Sequence, residues 1–241
     1  MDLRIAHLYP DLMSIYGDRG NVIALEQRAR WRGIAVETRA YTAGDAFDAD
    51  WPDLWFFGGG QDQGQDVVGA DLQGPNGGAV RRSIAGGAAA LTICGGYQLF
   101  GHEYVPESAP AIPGLGVIDV TTRAGKTRFV GNLVADAEGG TLVGFENHSG
   151  YTYLGAKAKP LARVRIGHGN NGEDGTEGAI QGHLIGCYVH GSLLPKNSWL
   201  ADLLTTWALE RRHGHLALTP LDDAVETRAR DAAIEVAKAR P

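Results

Sequence analysis

Two cysteines in 241 residues, Cys94 and Cys187, leave no room for a disulfide framework or a thiolate zinc site, and they suit a reducing compartment. Long apolar runs are missing too. None approaches the roughly 18 residues a membrane helix needs. The opening stretch, MDLRIAHLYP, lacks a basic segment followed by an apolar core and a small-residue cleavage site. The sequence therefore predicts a cytoplasmic chain with no transmembrane segment. Basic residues are not in excess either: 22 Lys and Arg stand against 28 Asp and Glu, a net charge of −6 spread along the chain. With no basic stripe, a nucleic-acid partner is not expected. Also absent are a GxxxxGK[ST] loop and a GxGxxG opening the first βαβ unit, so nucleotide binding by this chain is not expected, and no metal-ligand cluster stands out. No repeat, low-complexity tract or linker divides the chain, which reads as one domain over 1–241.

What is there is an ordinary globular composition, 44% apolar and 21% charged, with 35 glycines. In the first half, strand and helix signals alternate. Leu3 to Leu8 reads as a strand, Gly20 to Arg32 as a helix closed by Gly33, and Ile34 to Arg39 as a second strand. Asp53 to Phe57 is a third, Asn76 to Gly87 a helix, and Ala88 to Ile93 a fourth strand. This succession predicts an α/β fold with a central, mostly parallel sheet flanked by helices, whose sites lie beyond the carboxyl ends of the strands. From Gly114 to His190 the pattern changes to short β runs: Val117 to Thr122, Arg128 to Val134, Ala162 to Ile166 and Leu184 to Val189. Asn170 to Gly175 reads as an exposed loop. Helices return at about 196–212 and at about 220–239, the last with Thr219 as N-cap, Pro220 at its first position and an apolar stripe of Leu221, Ala224, Val225, Ala229, Ala232, Ala233 and Val236. That stripe could pack on this chain or on a partner.

The segment Thr92 to Phe100, TICGGYQLF, carries the most chemistry. It sets Cys94 on a tight turn between a buried strand and a short helix, with Gly95 and Gly96 allowing a strained backbone and close substrate approach, and with helix amides favouring thiolate over thiol. This is how a sulfur nucleophile is presented. A thiol of this kind needs a base. His190, in GCYVHG, ends a strand and enters a glycine turn as Cys94 does; His148, in FENHSG, competes with it, and the other six histidines read as surface or strand residues. Backbone amides at Gly59, Gly60 and Gly95 are the candidates for holding an oxyanion.

FFGGGQDQ, TICGGYQLFG, GFENHSGYTYLG and GCYVHGSLLPKN, in that order, resemble a class I glutamine amidotransferase of the cobyric acid synthase-like branch. YPDLMSIYGDRGN and RFVGN (Arg128 to Asn132) resemble its GatD members, the glutaminase subunits of lipid II isoglutaminyl synthase. The resemblance, over residues 2 to 212, implies a flavodoxin-like fold and hydrolysis of L-glutamine through a Cys94 thioester. It also implies a heterodimer with a MurT-like Mur ligase subunit that carries ATP and Mg and uses the ammonia to amidate the D-glutamate α-carboxylate of lipid II at the inner face of the membrane. This chain itself would hold no cofactor. Arg128 matches the arginine that engages the substrate glutamine. The usual His-x-Glu is broken, because Ser192 follows His190-Gly191, so either a Cys94–His190 dyad or a substitute orienter such as Glu146 is expected. Two alternatives use the same residues: a glutaminase for a cobyric or cobyrinic acid-type synthetase, and a non-catalytic binding or redox module.

Overall fold

The computed structural model describes residues 1–60 and 62–240. Gln61 of the FFGGGQDQ segment and Pro241 lie outside the described residues, as do the side chains of Asp62 and Gln63.

The first hundred residues wind as β1 (Asp2–Leu8), α1 (Arg19–Trp31), β2 (Ala35–Tyr41), β3 (Leu54–Phe57), α2 (Asp62–Leu72), α3 (Pro75–Ala85), β4 (Ala89–Ile93) and α4 (Gly95–Phe100). These strands pair in parallel in the order β4-β3-β1-β2. Their composition explains the arrangement. A parallel sheet is covered on both faces, so its inner strands read as unbroken apolar runs; Leu54-Trp-Phe-Phe57 and Ala89-Ala-Leu-Thr-Ile93 are buried at every position. Trp55, Phe56 and Phe57 are fully buried, each contributing about 2–3 kcal/mol of burial free energy. β2, at the edge, alternates and is largely exposed. α2, a helix absent from the sequence reading, follows the Gly58–Gly60 turn and packs on α3 and α4.

The remaining strands are β5 (Glu103–Val105), β6 (Ile112–Pro113), β7 (Val120–Ala137), β8 (Gly140–Leu154), β9 (Lys159–Ile166), β10 (Thr176–Gln181), β11 (Leu184–Cys187) and β12 (Val189–His190). They extend the sheet mostly with antiparallel pairs, β11 joining β4 in parallel, giving the path β12-β8-β7-β9-β10-β11-β4-β3-β1-β2, with β5 and β6 off it beside β7. The runs Val117 to Thr122 and Arg128 to Val134, read separately from the sequence, belong largely to the single long strand β7, which survives its polar and glycine positions because β8 pairs with it over most of its length. The register shifts between Ala124 and Phe129, a bulge that bends the strand immediately before Arg128. The Asn170 to Gly175 loop is exposed only at its tip. Asn170 and Asn171 are buried, Asn170 bonding to Gly178 through both its amide groups and Asn171 donating to the Thr152 carbonyl.

After α5 (Leu193–Lys196), α6 (Ser198–His213) packs on α1, β1, β3 and β4, closing the face opposite α4. The last helix, α7 (Ala224–Ala239), begins later than the sequence suggests, with Asp223 and not Thr219 before it. The reason is an ion cluster. Buried Arg28 binds Asp202 and Asp223, and Arg32 binds Asp202 and the Thr219 carbonyl, holding 219–223 in irregular backbone. The α7 stripe also differs: Ala224, Val225, Ala229, Ala232 and Val236 are exposed, while Ala233, Ile234 and Ala237 pack on Val134, Val143 and Ile166 of this chain. Among the described residues no helix is long and apolar enough to cross a membrane.

Candidate active site

Cys94 sits between β4 and α4 with φ +50° and ψ −109°, a conformation L-residues rarely adopt. Its amide donates to the Cys187 carbonyl and its carbonyl accepts from the Gln98 amide, at 2.9 Å each, so the strained turn is fixed on both sides. The thiol, 7% exposed, opens into a polar cavity of about 230 Å³ at the carboxyl end of the sheet. His190, at the end of the two-residue β12, lies beside it. β12 is anchored by pairing with Phe145 and Glu146 of β8.

The carboxylate that meets His190 is Asp18, not Glu146. His190 Nδ1 donates to Asp18 Oδ1 at 3.2 Å and to Oδ2 at 3.3 Å, and both side chains are buried. Asp18 further accepts from the Gly59 amide at 2.7 Å and the Gly191 amide at 3.1 Å. One carboxylate thus ties together the β1–α1 loop, the β3 turn and the turn after β12. Burial alone would drive the imidazole toward its neutral form, but the hydrogen bond it donates to Asp18 and the facing Cys94 thiol outweigh it and push the His190 pKa up to about 10. The other nitrogen, Nε2, is buried without a hydrogen-bond partner. Glu146 is committed elsewhere, accepting from the His168 amide, His168 Nδ1 and the Gly169 amide at 2.8 to 2.9 Å.

Asp18 was missed because nothing local marks it. It lies 172 residues from His190 and occupies the N-cap position of α1, yet makes no side-chain cap there. Its place inside YPDLMSIYGDRGN, the stretch that resembles GatD members, was the available signal.

Of the three oxyanion candidates, Gly59 gives its amide to Asp18, which leaves Gly60 and Gly95; among the described residues their amides donate to no other group. Gly59 is required for a different reason. A Cβ there would lie 2.6 Å from His190 Cε1, 3.1 Å from Cys94 Cβ and 3.3 Å from Asp18 Oδ2, so only hydrogen fits at the point where all three converge. Gly95 similarly leaves no room for a Cβ, which would lie 2.3 Å from Gln65 Nε2.

Arg128 reaches the mouth of the cavity, donating to Asn147 Oδ1 at 2.7 Å and to the Tyr16 hydroxyl at 3.4 Å. Tyr16 lays its ring edge-on against His190, with centroids 5.0 Å apart. His148 also lines the cavity, but its Nδ1 donates to the Gly150 carbonyl and its ring stacks on Tyr188; burial lowers its pKa to about 3. His148 is a neutral wall residue. Cys187 is fully buried and its thiol is raised well above its ordinary range by burial. Among the described residues no group of three or more His, Cys, Asp or Glu could hold a metal ion.

A sulfur on a strained strand-to-helix turn, a histidine beside it, a carboxylate on that histidine's far nitrogen and free glycine amides form the geometry of acyl transfer. The sequence profile of the CobB/CobQ-like glutamine amidotransferase domain matches residues 4–198. This chain belongs to that family. It is 36% identical over 235 residues to the lipid II isoglutaminyl synthase (glutamine-hydrolyzing) subunit GatD of Staphylococcus aureus (strain N315), covering 97% of this chain and 96% of the relative. It is 40% identical over 215 residues to the GatD of Streptococcus pneumoniae (strain ATCC BAA-255 / R6), covering 88% and 82%. The fold is that of a crystallised glutamine amidotransferase at 17% identity, with a TM-score of 0.55 over 86% of this chain and 97% of that one. The chain is a glutamine amidotransferase of the GatD kind.

Proposed function

We propose that this chain hydrolyses L-glutamine and passes the ammonia to an ATP-dependent ligase partner. Cys94 first gives its proton to His190 Nε2, the transfer that the raised His190 pKa favours, and its Sγ then attacks the γ-carboxamide carbon. The amides of Gly60 and Gly95 hold the oxyanion, and His190 returns the proton to the leaving ammonia, which leaves a γ-glutamyl thioester. Water, deprotonated by the same nitrogen, then attacks the thioester and releases glutamate. Asp18 orients His190 and stabilises its imidazolium throughout. Arg128 pairs with the substrate α-carboxylate. The observation that carries this reading is the buried His190 ring, held by Asp18 on one side and lying beside Cys94 at the foot of the cavity.

The likeness to GatD subunits over nearly the whole chain supports a finer reading. The partner is a Mur ligase-like subunit bound as a heterodimer; it holds ATP and Mg and amidates the D-glutamate α-carboxylate of lipid II from the cytoplasmic side. This chain needs no cofactor of its own. The test combines the purified chain with such a ligase, ATP, lipid II and amide-¹⁵N glutamine. Label should enter the stem-peptide amide with wild type and not with Cys94→Ala. Label that reached a corrin acceptor instead would leave the glutaminase standing and remove the peptidoglycan assignment; glutamine turnover by Cys94→Ala would remove both.

A further inference from the structure

The cavity beside Cys94 meets one end of an amino acid with Arg128, and no carboxylate lines it anywhere among the described residues. The α-ammonium group of a bound glutamine must then be received by neutral acceptors, since a buried ammonium left without partners is strongly unfavourable. Two buried acceptors in the cavity wall lack partners. One is Gln65 Oε1: the residue is 2% exposed, and its Nε2 is engaged, donating to Gln98 Oε1 at 2.9 Å while Gln98 donates onward to the Tyr188 hydroxyl. The other is His148 Nε2, also 2% exposed. Because His148 Nδ1 faces the Gly150 carbonyl, which can only accept, the proton sits on Nδ1 and Nε2 presents its lone pair. Both residues touch the same network, Gln65 through Gln98 and His148 by stacking on Tyr188 at 3.5 Å.

We propose that Gln65 Oε1 and His148 Nε2 together receive the α-ammonium of the substrate and so restrict the site to free α-amino acids. The proposal rests on the glutaminase reading. It gives His148, set aside as the base, a binding role, and it explains why a polar atom on Gln65 stays buried and unpaired in the wall of the cavity that holds Cys94.

The test compares L-glutamine with 4-carbamoylbutanoate, which is glutamine without its α-amino group. Wild type should favour L-glutamine in kcat/KM by about a hundredfold or more. Gln65→Leu and His148→Phe should each cut kcat/KM for L-glutamine about tenfold to a hundredfold, the range for a lost hydrogen bond to a charged group, chiefly through KM. They should change the deaminated compound far less, so that the preference collapses. His148→Phe keeps a ring to stack on Tyr188 and carries the test if Gln65→Leu fails to fold. An unchanged preference in His148→Phe and in folded Gln65→Leu would overturn the proposal, as would a wild type indifferent to the amino group. Should wild type hydrolyse neither compound, the glutaminase reading falls, and calorimetric binding of the two compounds to Cys94→Ala protein still decides whether the ammonium is recognised.

Discussion

The sheet has two halves of different character, and the candidate site lies on their seam. The parallel half, β1 to β4, has its inner strands β3 and β4 buried at every position and delivers the Cys94 turn, the Gly58–Gly60 turn and the loop bearing Asp18. The antiparallel half, built round the long β7–β8 pair, is partly exposed and bulged, and it brings Arg128, Asn147 and His148 to the cavity. His190 belongs to the seam, on a strand that pairs with β8 while its ring bonds to Asp18. The proposed chemistry thus draws on the parallel half and the seam, and the contact to the substrate α-carboxylate on the antiparallel half.

That division can be broken by substitution, and the largest effect should come from the seam itself. His190→Ala should lower glutamine turnover by about two to four orders of magnitude, with little change in KM; steady-state kinetics with ammonia detection reads both, and a shift confined to KM would move His190 to the recognition side. Asp18→Asn should cost at least about a hundredfold in kcat, since removing the carboxylate behind a catalytic imidazole costs up to about ten-thousandfold in serine proteases. It should also lower the melting midpoint, because the Gly59 and Gly191 amides lose a charged acceptor. Gly59→Ala should cost about a hundredfold in kcat through displacement of His190 and Cys94, and an active Gly59→Ala enzyme would show that the two groups tolerate separation. On the recognition side, Arg128→Ala should raise KM by about tenfold to a hundredfold and leave kcat within a few-fold. Glu146→Gln should change turnover least, since its carboxylate serves His168 and Gly169 and not His190; a loss matching that of Asp18→Asn would reinstate Glu146 as the orienter.

A pH experiment sharpens the comparison from the structural side. Glu177 is buried behind the site and accepts from the Tyr188 amide at 2.7 Å, with its other oxygen unpaired. Burial, reinforced by nearby Glu146, raises its pKa to about 8. A carboxyl raised in this way favours the folded state at low pH, and that contribution is lost as pH climbs from the ordinary carboxylate range, near 4.5, through about 8. Glu177→Gln should therefore gain on wild type in melting midpoint between pH 5 and pH 9. A constant difference across that range would show that Glu177 is already ionised in the fold.

The same two halves account for what was legible in the sequence. β3 and β4 announce themselves because burial on both faces forces continuous apolar runs ending in glycine turns, so the turns that carry Cys94 and the Gly58–Gly60 amides could be placed from residues alone. β7 to β9 carry mixed polarity, since each is partly exposed, and their continuity depends on pairing that no local pattern encodes. Asp18 was illegible for a similar reason, its partner being fixed only by the closing of the sheet. The α7 stripe misled because alanines are spread over most of that helix, and only the positions of Val134, Val143 and Ile166 decide which of them face inward.

The clasp formed by Asp18 has a consequence in time. Its three tenants, the His190 ring and the amides of Gly59 and Gly191, come from opposite ends of the chain, so during synthesis the thiol turn can be complete long before its base has left the ribosome. A nascent or clipped chain that stops short of β12 carries Cys94 but no proton acceptor for it. On the proposed mechanism, such a chain cannot hydrolyse glutamine until the last strand has locked in.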